Sequence, residues 1–307
     1  MSNVVFLLVP RLHLLDLAGP AQVFSTAAGL GMDYALSYVA EQEEVPTAQG
    51  LPVHARTDWP ELAGDDLVIV PGWRGDRLRR EPVLGEASMN RLREHHAGGG
   101  TVASVCSGAD ALGRSGLLDG RRCTTHHELQ DELAQRYPKA TVVRDVLYVV
   151  DDRVITSAGI ASGIDLSLHL IATRHGPGAA ARIARAMVVY ARRNGDEPQA
   201  SAMLRHRAHL SDAVHRVQDI IDAEFTARLP LDELAARVGC SVRTVTRLFA
   251  RTVGMTPLRY QQLLRLERAE HLIGQGFGVE VAARSVGFED GRMLRRLRGR
   301  GPRTLGS

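Results

Sequence analysis

The chain has 307 residues, 44% of them hydrophobic and 24% charged, which suits two ordinary globular domains. Its three cysteines, Cys106, Cys123 and Cys240, are scattered and contain no CxxC pair, which argues against a disulfide framework and a structural zinc site. No apolar run approaches the length of a membrane span, and the N-terminus lacks the basic region of a secretory signal. We therefore expect a soluble protein of the reducing cytoplasm that interacts with no membrane.

Charge is divided unevenly along the chain. Residues 1–191 carry a net charge of −4 and residues 192–307 carry +7. Nearly all basic residues of the chain are arginine, because Lys139 is the only lysine. This distribution indicates that only the second part contacts a polyanion. An arginine-rich, solvated surface without a partner would give the same totals, so charge alone leaves both interpretations open.

Residues 1–191 alternate between strand-like and helix-like segments. Short apolar runs predict the strands, and the stretches between them have helical spacing. The apolar runs are VVFLLV, DDLVIVPG, TVASVC, VLYVV and RVITSAG. This alternation predicts a doubly wound, parallel α/β sheet of the flavodoxin-like type, with helices on both faces. In such sheets, ligands bind beyond the carboxyl ends of the strands.

The run TVASVC ends at Cys106, and Ser107, Gly108 and an alanine-rich segment follow at once. This pattern predicts a strand, a tight turn and a helix, with the thiol near the helix N-terminus. Three roles are open for Cys106: a nucleophile, part of a binding pocket, or small apolar filler. The nucleophile requires a lowered thiol pKa, which a helix N-terminus and a nearby histidine would provide.

Residues 192–210 break the pattern with Asn, Gly, Asp, Pro and charged residues, so we predict a linker there. It separates a first domain, residues 1–191, from a second domain, residues 211–307, in which every signal is helical. In the second domain a helix ends at Gly239 and the next can be capped by Ser241, which predicts a helix-turn-helix. The second of these helices would enter a DNA major groove with Ser241, Arg243, Thr244 and Arg247.

A second helix-turn-helix unit is predicted after residue 277, but its last helix is irregular. The pattern places Gly291 inside that helix and runs out in glycine and arginine, so the helix is expected to be shortened. Its arginines would supply phosphate contacts; they are Arg292, Arg295 and Arg296. A disordered basic tail is the alternative.

Two sets of motifs carry a family resemblance. Residues 211–300, with the elements LDELAARVG, GMTP and RLERAEHLI, resemble the DNA-binding domain of the AraC/XylS family of transcription regulators. Residues 3–175, with LLDLAGPAQVF, DDLVIVPGW and ITSAGIASGIDLSLHLI, resemble the class I glutamine amidotransferase-like superfamily in its PfpI branch. The whole layout is similar to that of GlxA-type regulators, in which an effector-sensing domain is fused to an AraC-type DNA reader.

The resemblance implies a pocket formed by Asp16, Cys106 and His126, together with Ser107 and Gly108 of the turn. In this branch the pocket commonly binds a small molecule, here a nitrogen-containing metabolite, without turning it over. The implied protein is a homodimeric transcription regulator that binds double-stranded promoter DNA and a small effector, with no metal or cofactor. The alternatives are a cysteine-dependent amidase or isonitrile-hydratase-like enzyme using Cys106, and a regulator that no longer reads DNA.

Overall fold

The structure is a computed structural model. The residues it describes are 2–75, 78–189, 193–196, 199, 206–207, 209–274 and 276–298. The predicted domain boundary at residues 191 and 192, part of the predicted linker and the end of the chain after residue 298 lie outside these ranges. The chain divides into two compact units, residues 1–199 and 200–307.

The first unit alternates strands and helices. The strands are β1 (Ser2–Leu7), β2 (Tyr34–Val39), β3 (Glu44–Val45), β4 (Val53–His54), β5 (Leu67–Val70), β6 (Thr101–Val105), β7 (Arg122–Cys123), β8 (Thr141–Val142), β9 (Tyr148–Asp151) and β10 (Val154–Ser157). The helices are α1 (Leu14–Gly29), α2 (Glu86–Ala97), α3 (Ala109–Arg114), α4 (Gln130–Arg136), α5 (Ser162–His175) and α6 (Pro177–Ala186).

A six-stranded sheet forms the centre of this unit, in the order β2-β1-β5-β6-β10-β9. The first five strands in this order are parallel, and β9 pairs antiparallel with β10. Numbered by themselves along the chain, the parallel strands have the order 2-1-3-4-5, which is the flavodoxin-like arrangement. The predicted fold class is confirmed.

The burial of each strand explains which ones the sequence pattern revealed. All four residues of β5 are buried, as are the last four of β1, so both read as continuous apolar runs. Strand β2 is only partly buried along its length and contains Ser37, and the sequence pattern missed it. The register places the carboxyl ends of β1, β5, β6 and β10 along one edge of the sheet.

The second unit is helical. Its helices are α7 (Asp212–Glu224), α8 (Leu231–Arg237), α9 (Val242–Val253), α10 (Pro257–Gly274), α11 (Val279–Ser285) and α12 (Gly291–Arg298). Two small cores hold them together, one around Phe249 and Tyr260 and the other around Phe288 and Leu294. The 18-residue helix α10 contributes to both cores and so joins the two halves. No helix in the described part of the chain is long and apolar enough to cross a membrane.

Gly108 illustrates how tightly the strand ends pack, and it generates a stability prediction. A Cβ at this position would lie 2.3 Å from the Val70 carbonyl oxygen, at the end of β5. We expect Gly108→Ala to lower the free energy of unfolding of the first unit by about 1–3 kcal/mol, because backbone cannot move aside cheaply. Urea unfolding followed by tryptophan fluorescence reports on this unit alone, since Trp59 and Trp73 are the only tryptophans.

The matched control is Gly178→Ala on α6, where an added Cβ has no neighbour within 4 Å. Because alanine favours a helix more than glycine does, this variant should leave the unfolding midpoint unchanged or raise it slightly. Equal midpoints for the two variants would contradict the close packing at Gly108.

Candidate functional site

Cys106 occupies a strained turn at the end of β6. Its φ is +55°, a region that non-glycine residues enter rarely, and a short 3-10 turn over Cys106–Gly108 leads into α3. The Ser107 hydroxyl holds this turn, because it accepts a hydrogen bond from the Trp73 N–H (2.8 Å) and donates to the Trp73 carbonyl (3.1 Å). On the other side, Thr125 Oγ1 donates to the Cys106 carbonyl at 2.8 Å. The predicted strand–turn–helix geometry is therefore present.

Two glycines allow the neighbouring strand ends to close around Cys106. A Cβ on Gly72, after β5, would lie 2.6 Å from both Cys106 Cβ and Asp16 Oδ2. A Cβ on Gly159, after β10, would lie 2.2 Å from Cys106 Cβ and 2.9 Å from its Sγ, and Gly159 also has a φ of +102°. Any side chain at either position would overlap Cys106, so the two glycines set the narrow space between these strand ends. The sequence analysis did not single out either glycine, although each is the last residue of a run that predicts a strand.

Asp16, in the first turn of α1, lies at the bottom of this space and is 0% exposed. Its Oδ1 accepts the Ile160 N–H at 2.7 Å. Burial raises the pKa of the Asp16 carboxyl to about 6, although the Ile160 and Gly72 amides and the Cys106 thiol lower it. Within the described residues, Oδ2 has no hydrogen-bond partner of normal geometry, although the Gly72 amide and the Cys106 thiol lie close enough to lower the carboxyl pKa.

The environment of Cys106 disfavours a thiolate. The residue is 6% exposed, and burial first, then the charge of Asp16, raises its pKa well above that of a free thiol. The Ser107 amide at the start of the turn lowers the pKa, but it does not offset burial. The lowered thiol pKa that the nucleophile hypothesis requires is therefore absent. The sequence could not reveal this, because no local pattern shows how deeply the thiol is buried.

His126 is linked to the Cys106–Gly108 turn, which we call the elbow, through the preceding residue Thr125. Its neighbour Thr125 bonds to the Cys106 carbonyl, while the His126 ring packs on His127 with centroids 4.2 Å apart. Burial and the neighbouring His127 lower the pKa of His126, and its Nδ1 lies 3.6 Å from Glu128 Oε2. In the part of the chain that the structure describes, no hydrogen bond joins this ring to Cys106 or Asp16. The structure therefore pairs Asp16 with Cys106 and leaves His126 outside that pair.

Ser107 and Gly108 both contact the backbone of the segment that begins at the end of β5. The Ser107 hydroxyl is used by Trp73, and Gly108 packs against the Val70 carbonyl, so the groups they offer a ligand are backbone amides. Among the described residues, no group of three or more His, Cys, Asp or Glu side chains is placed to hold a metal ion.

The first helix-turn-helix unit consists of α8 and α9. Ser241 is the N-cap of α9: its Oγ accepts the Thr244 N–H at 3.2 Å and lies 2.9 Å from the Thr244 hydroxyl. Arg243 and Arg247 are exposed one turn apart, opposite the buried Val245 and Phe249. Neither guanidinium has a carboxylate partner among the described residues. The predicted face thus presents two unpaired cations beside a polar helix N-terminus.

The second unit consists of α11 and α12, and α12 has eight residues where α9 has twelve. Gly291 is its first residue, not an interior one as the sequence pattern suggested, because Asp290 Oδ1 accepts the N–H groups of Arg292 (2.8 Å) and Met293 (3.2 Å). Leu294 and Leu297 are buried. The opposite face exposes Arg292, Arg295 and Arg296, and of these Arg292 also pairs with Asp290.

Comparisons with known proteins cover both units. A model of the DJ-1/PfpI family matches residues 2–173, and a model of a helix-turn-helix domain matches residues 234–300. The HTH-type transcriptional regulator CdhR of Pseudomonas aeruginosa is 30% identical over 290 residues, which cover 92% of this chain and 84% of that protein. An isonitrile hydratase of Pseudomonas putida is 32% identical over 173 residues, 55% of this chain and 70% of the enzyme.

A solved structure supports the fold. The crystal structure of an AraC family transcriptional regulator from Pseudomonas putida has a TM-score of 0.53 at 24% identity, and the match covers 61% of this chain and 100% of that one. The chain therefore belongs to the DJ-1/PfpI family, and it joins a domain of that family to a helix-turn-helix domain of the AraC type, as its sequence motifs indicate.

Proposed function

We propose that this protein is a cytoplasmic transcription regulator that binds promoter DNA through its second unit and a small effector through its first. The observation that carries the proposal is that Arg243 and Arg247 of α9, which follow the Ser241 cap, are exposed and have no carboxylate partner among the residues that the structure describes. Arginine can donate two hydrogen bonds to a guanine edge, and Ser241 and Thr244 can bond a phosphate or a base. The likeness to CdhR over nearly the whole chain supports the same function.

The second recognition helix has a different role in this proposal. Arg292, Arg295 and Arg296 lie on a short helix and contact DNA phosphates, which contributes affinity but little sequence preference. One such reader covers a limited stretch of DNA, and a homodimer would double it.

The effector site in this proposal is the space around Cys106. Asp16, Cys106 and His126 supply side chains, while Ser107 and Gly108 supply backbone amides at the start of a helix, a suitable place for a small polar or anionic group. Asp16 adds a carboxyl that titrates near pH 6, and its Oδ2, which has no hydrogen-bond partner within the described ranges, could accept from a donor on the ligand. Ligand binding would then favour one of two states of the protein with different affinity for DNA.

An enzyme of the isonitrile-hydratase kind is the second candidate, and the likeness of the first unit to that enzyme favours it. The thiol pKa argues against it, since a protonated, buried thiol is a poor nucleophile. We therefore propose that Cys106 contributes to binding and does not catalyse a reaction.

DNA binding is tested by a gel shift on the promoter region next to the gene. We expect Arg243→Ala combined with Arg247→Ala to abolish the shift, because both base-contacting cations are removed. The control replaces Arg182 and Arg185, two exposed arginines of α6 in the first unit, and should retain the shift after losing the same charge. A shift that survives the first pair of substitutions would contradict the assignment of α9 as the reading helix.

The protonation of Asp16 has a measurable effect on stability. The native carboxyl keeps its proton up to about pH 6, whereas the unfolded one releases it near pH 3.8. Between these values the native state binds more protons, so the free energy of unfolding should fall as pH rises from 4 to 6, by up to about 3 kcal/mol, and then level off. Asp16→Asn should lack this contribution. Urea midpoints of both proteins between pH 4 and 7 test it, and a difference that does not change with pH would refute it.

Thiol reactivity separates the two candidate functions. We expect iodoacetamide at pH 7.5 to alkylate Cys106 more slowly than the partly exposed Cys240, because burial raises the pKa of Cys106. Mass spectrometry of the two cysteine peptides over time measures both rates in one sample. Faster labelling of Cys106 than of Cys240 would favour the enzyme.

A further inference from the structure

The beginning of the predicted linker is bound to the first unit at three points. Arg193 donates to the buried Asp165 carboxylate from Nε (3.1 Å) and Nη2 (2.5 Å). The Gly195 carbonyl accepts the Leu147 N–H at 2.8 Å. Gln199 is the third point. We call Arg193, Gly195 and Gln199 the latch.

Gln199 connects the latch to the elbow. Its Nε2 donates to the Thr125 carbonyl at 2.9 Å and to the Val146 carbonyl at 3.1 Å, and its backbone N–H donates to Asp145 Oδ1 at 3.1 Å. Thr125 in turn donates its hydroxyl to the Cys106 carbonyl at 2.8 Å. Two hydrogen bonds and one residue therefore separate the latch from the candidate effector site.

The site is closed in this arrangement. Asp16, Cys106, Ser107 and Thr125 are all buried, so a ligand reaches the thiol only if the residues around it move apart. Gln199 holds the Thr125 segment, and displacing that segment breaks the hydrogen bond from Gln199 Nε2 to the Thr125 carbonyl. The latched state also has a built-in cost, because Gln199 Oε1 is buried without a hydrogen-bond partner among the described residues.

We propose that the latch keeps the Cys106 site closed, and that occupation of this site releases the latch. This inference rests on the proposed role of the site as an effector pocket, and it supplies the two states that effector control requires. The closed state holds the latch and excludes the ligand, whereas the open state admits the ligand and frees the segment.

Release of the latch lengthens the tether to the second unit. His206 is bound there, since its carbonyl accepts Gln218 Nε2 at 2.8 Å, so only residues 200–205 lie between this anchor and Gln199. A chain spans at most about 3.6 Å per residue, which limits that tether to roughly 25 Å. Freeing the segment from residue 193 onward about doubles the reach and so changes the positions open to the DNA-reading helices.

Alkylation of Cys106 tests the proposal without an identified effector. Iodoacetamide forms a bond from the sulfur to its CH₂ carbon, iodide leaves and the thiol proton passes to the buffer, so the rate at pH 8 reports how often the site opens. Gln199→Glu replaces the donor with a carboxylate facing two carbonyl oxygens. We expect Cys106 in this variant to react roughly threefold to tenfold faster than in the wild-type protein, the effect of losing one or two hydrogen bonds. Gln42→Glu, the same change at an exposed position, should react at the wild-type rate.

The reciprocal measurement uses trypsin. Protein carbamidomethylated at Cys106 should be cleaved after Arg193 faster than unmodified protein, because coupling between two sites acts in both directions. Gly195→Ala is a second opening variant, since its Cβ would lie 2.7 Å from the Tyr148 ring, and it should accelerate both reactions. Wild-type rates of alkylation in both latch variants, or cleavage that ignores the modification, would overturn the proposal.

These readouts do not depend on DNA. If the promoter shift is intact while alkylation ignores the latch variants, the latch is wrong and the regulator stands. If the wild-type protein fails to shift any promoter fragment while the latch variants still open the site, the latch stands as a device of the first unit and the regulator is wrong.

Discussion

Two glycines allow three strand ends to meet around one thiol more closely than any other residues would permit. The backbones of Gly72 and Gly159 lie so close to Cys106 that a single methyl group on either glycine would overlap it, and a methyl group on Gly72 would also overlap the Asp16 carboxylate. This closeness has two consequences. It buries a carboxyl and a thiol side by side, and it makes the shape of the site depend on a backbone that few side chains can adjust.

The chemistry of the pair follows from that burial. A helix N-terminus favours an anion, but its effect is modest and falls off within a turn, whereas removing a charge from water costs far more. The buried carboxyl therefore keeps its proton to higher pH, and the buried thiol remains neutral. The same turn that would activate an exposed cysteine here keeps the thiol protonated beside a carboxyl that titrates near pH 6, so the thiol lacks the character of a nucleophile.

The sequence revealed the features that have a short-range pattern. Continuous apolar strands such as β5, the cap at Ser241 and the exposed Arg243 and Arg247 all leave local signals, and the structure contains each of them. Strand β2 was missed because it is only partly buried. Gly291 was placed inside a helix because the sequence pattern did not identify Asp290 as the residue whose side chain accepts the first N–H groups of that helix. The thiol environment could not be predicted, since it arises from residues that are 34 to 90 positions apart from Cys106 in the sequence, such as Gly72 and Asp16.

The second helices of the two helix-turn-helix units, α9 and α12, are capped in different ways. Ser241 satisfies the first backbone amides of α9 with a neutral hydroxyl, so a phosphate can approach that end without repulsion. Asp290 does the same for α12 with a carboxylate that also pairs with Arg292, so its negative charge is partly offset. In the DNA complex that we propose, the N-terminal end of α9 is open to a phosphate, whereas α12 would contact phosphates through its exposed arginines. The two helices of one protomer would then contribute differently to DNA binding, α9 to base recognition and α12 to affinity.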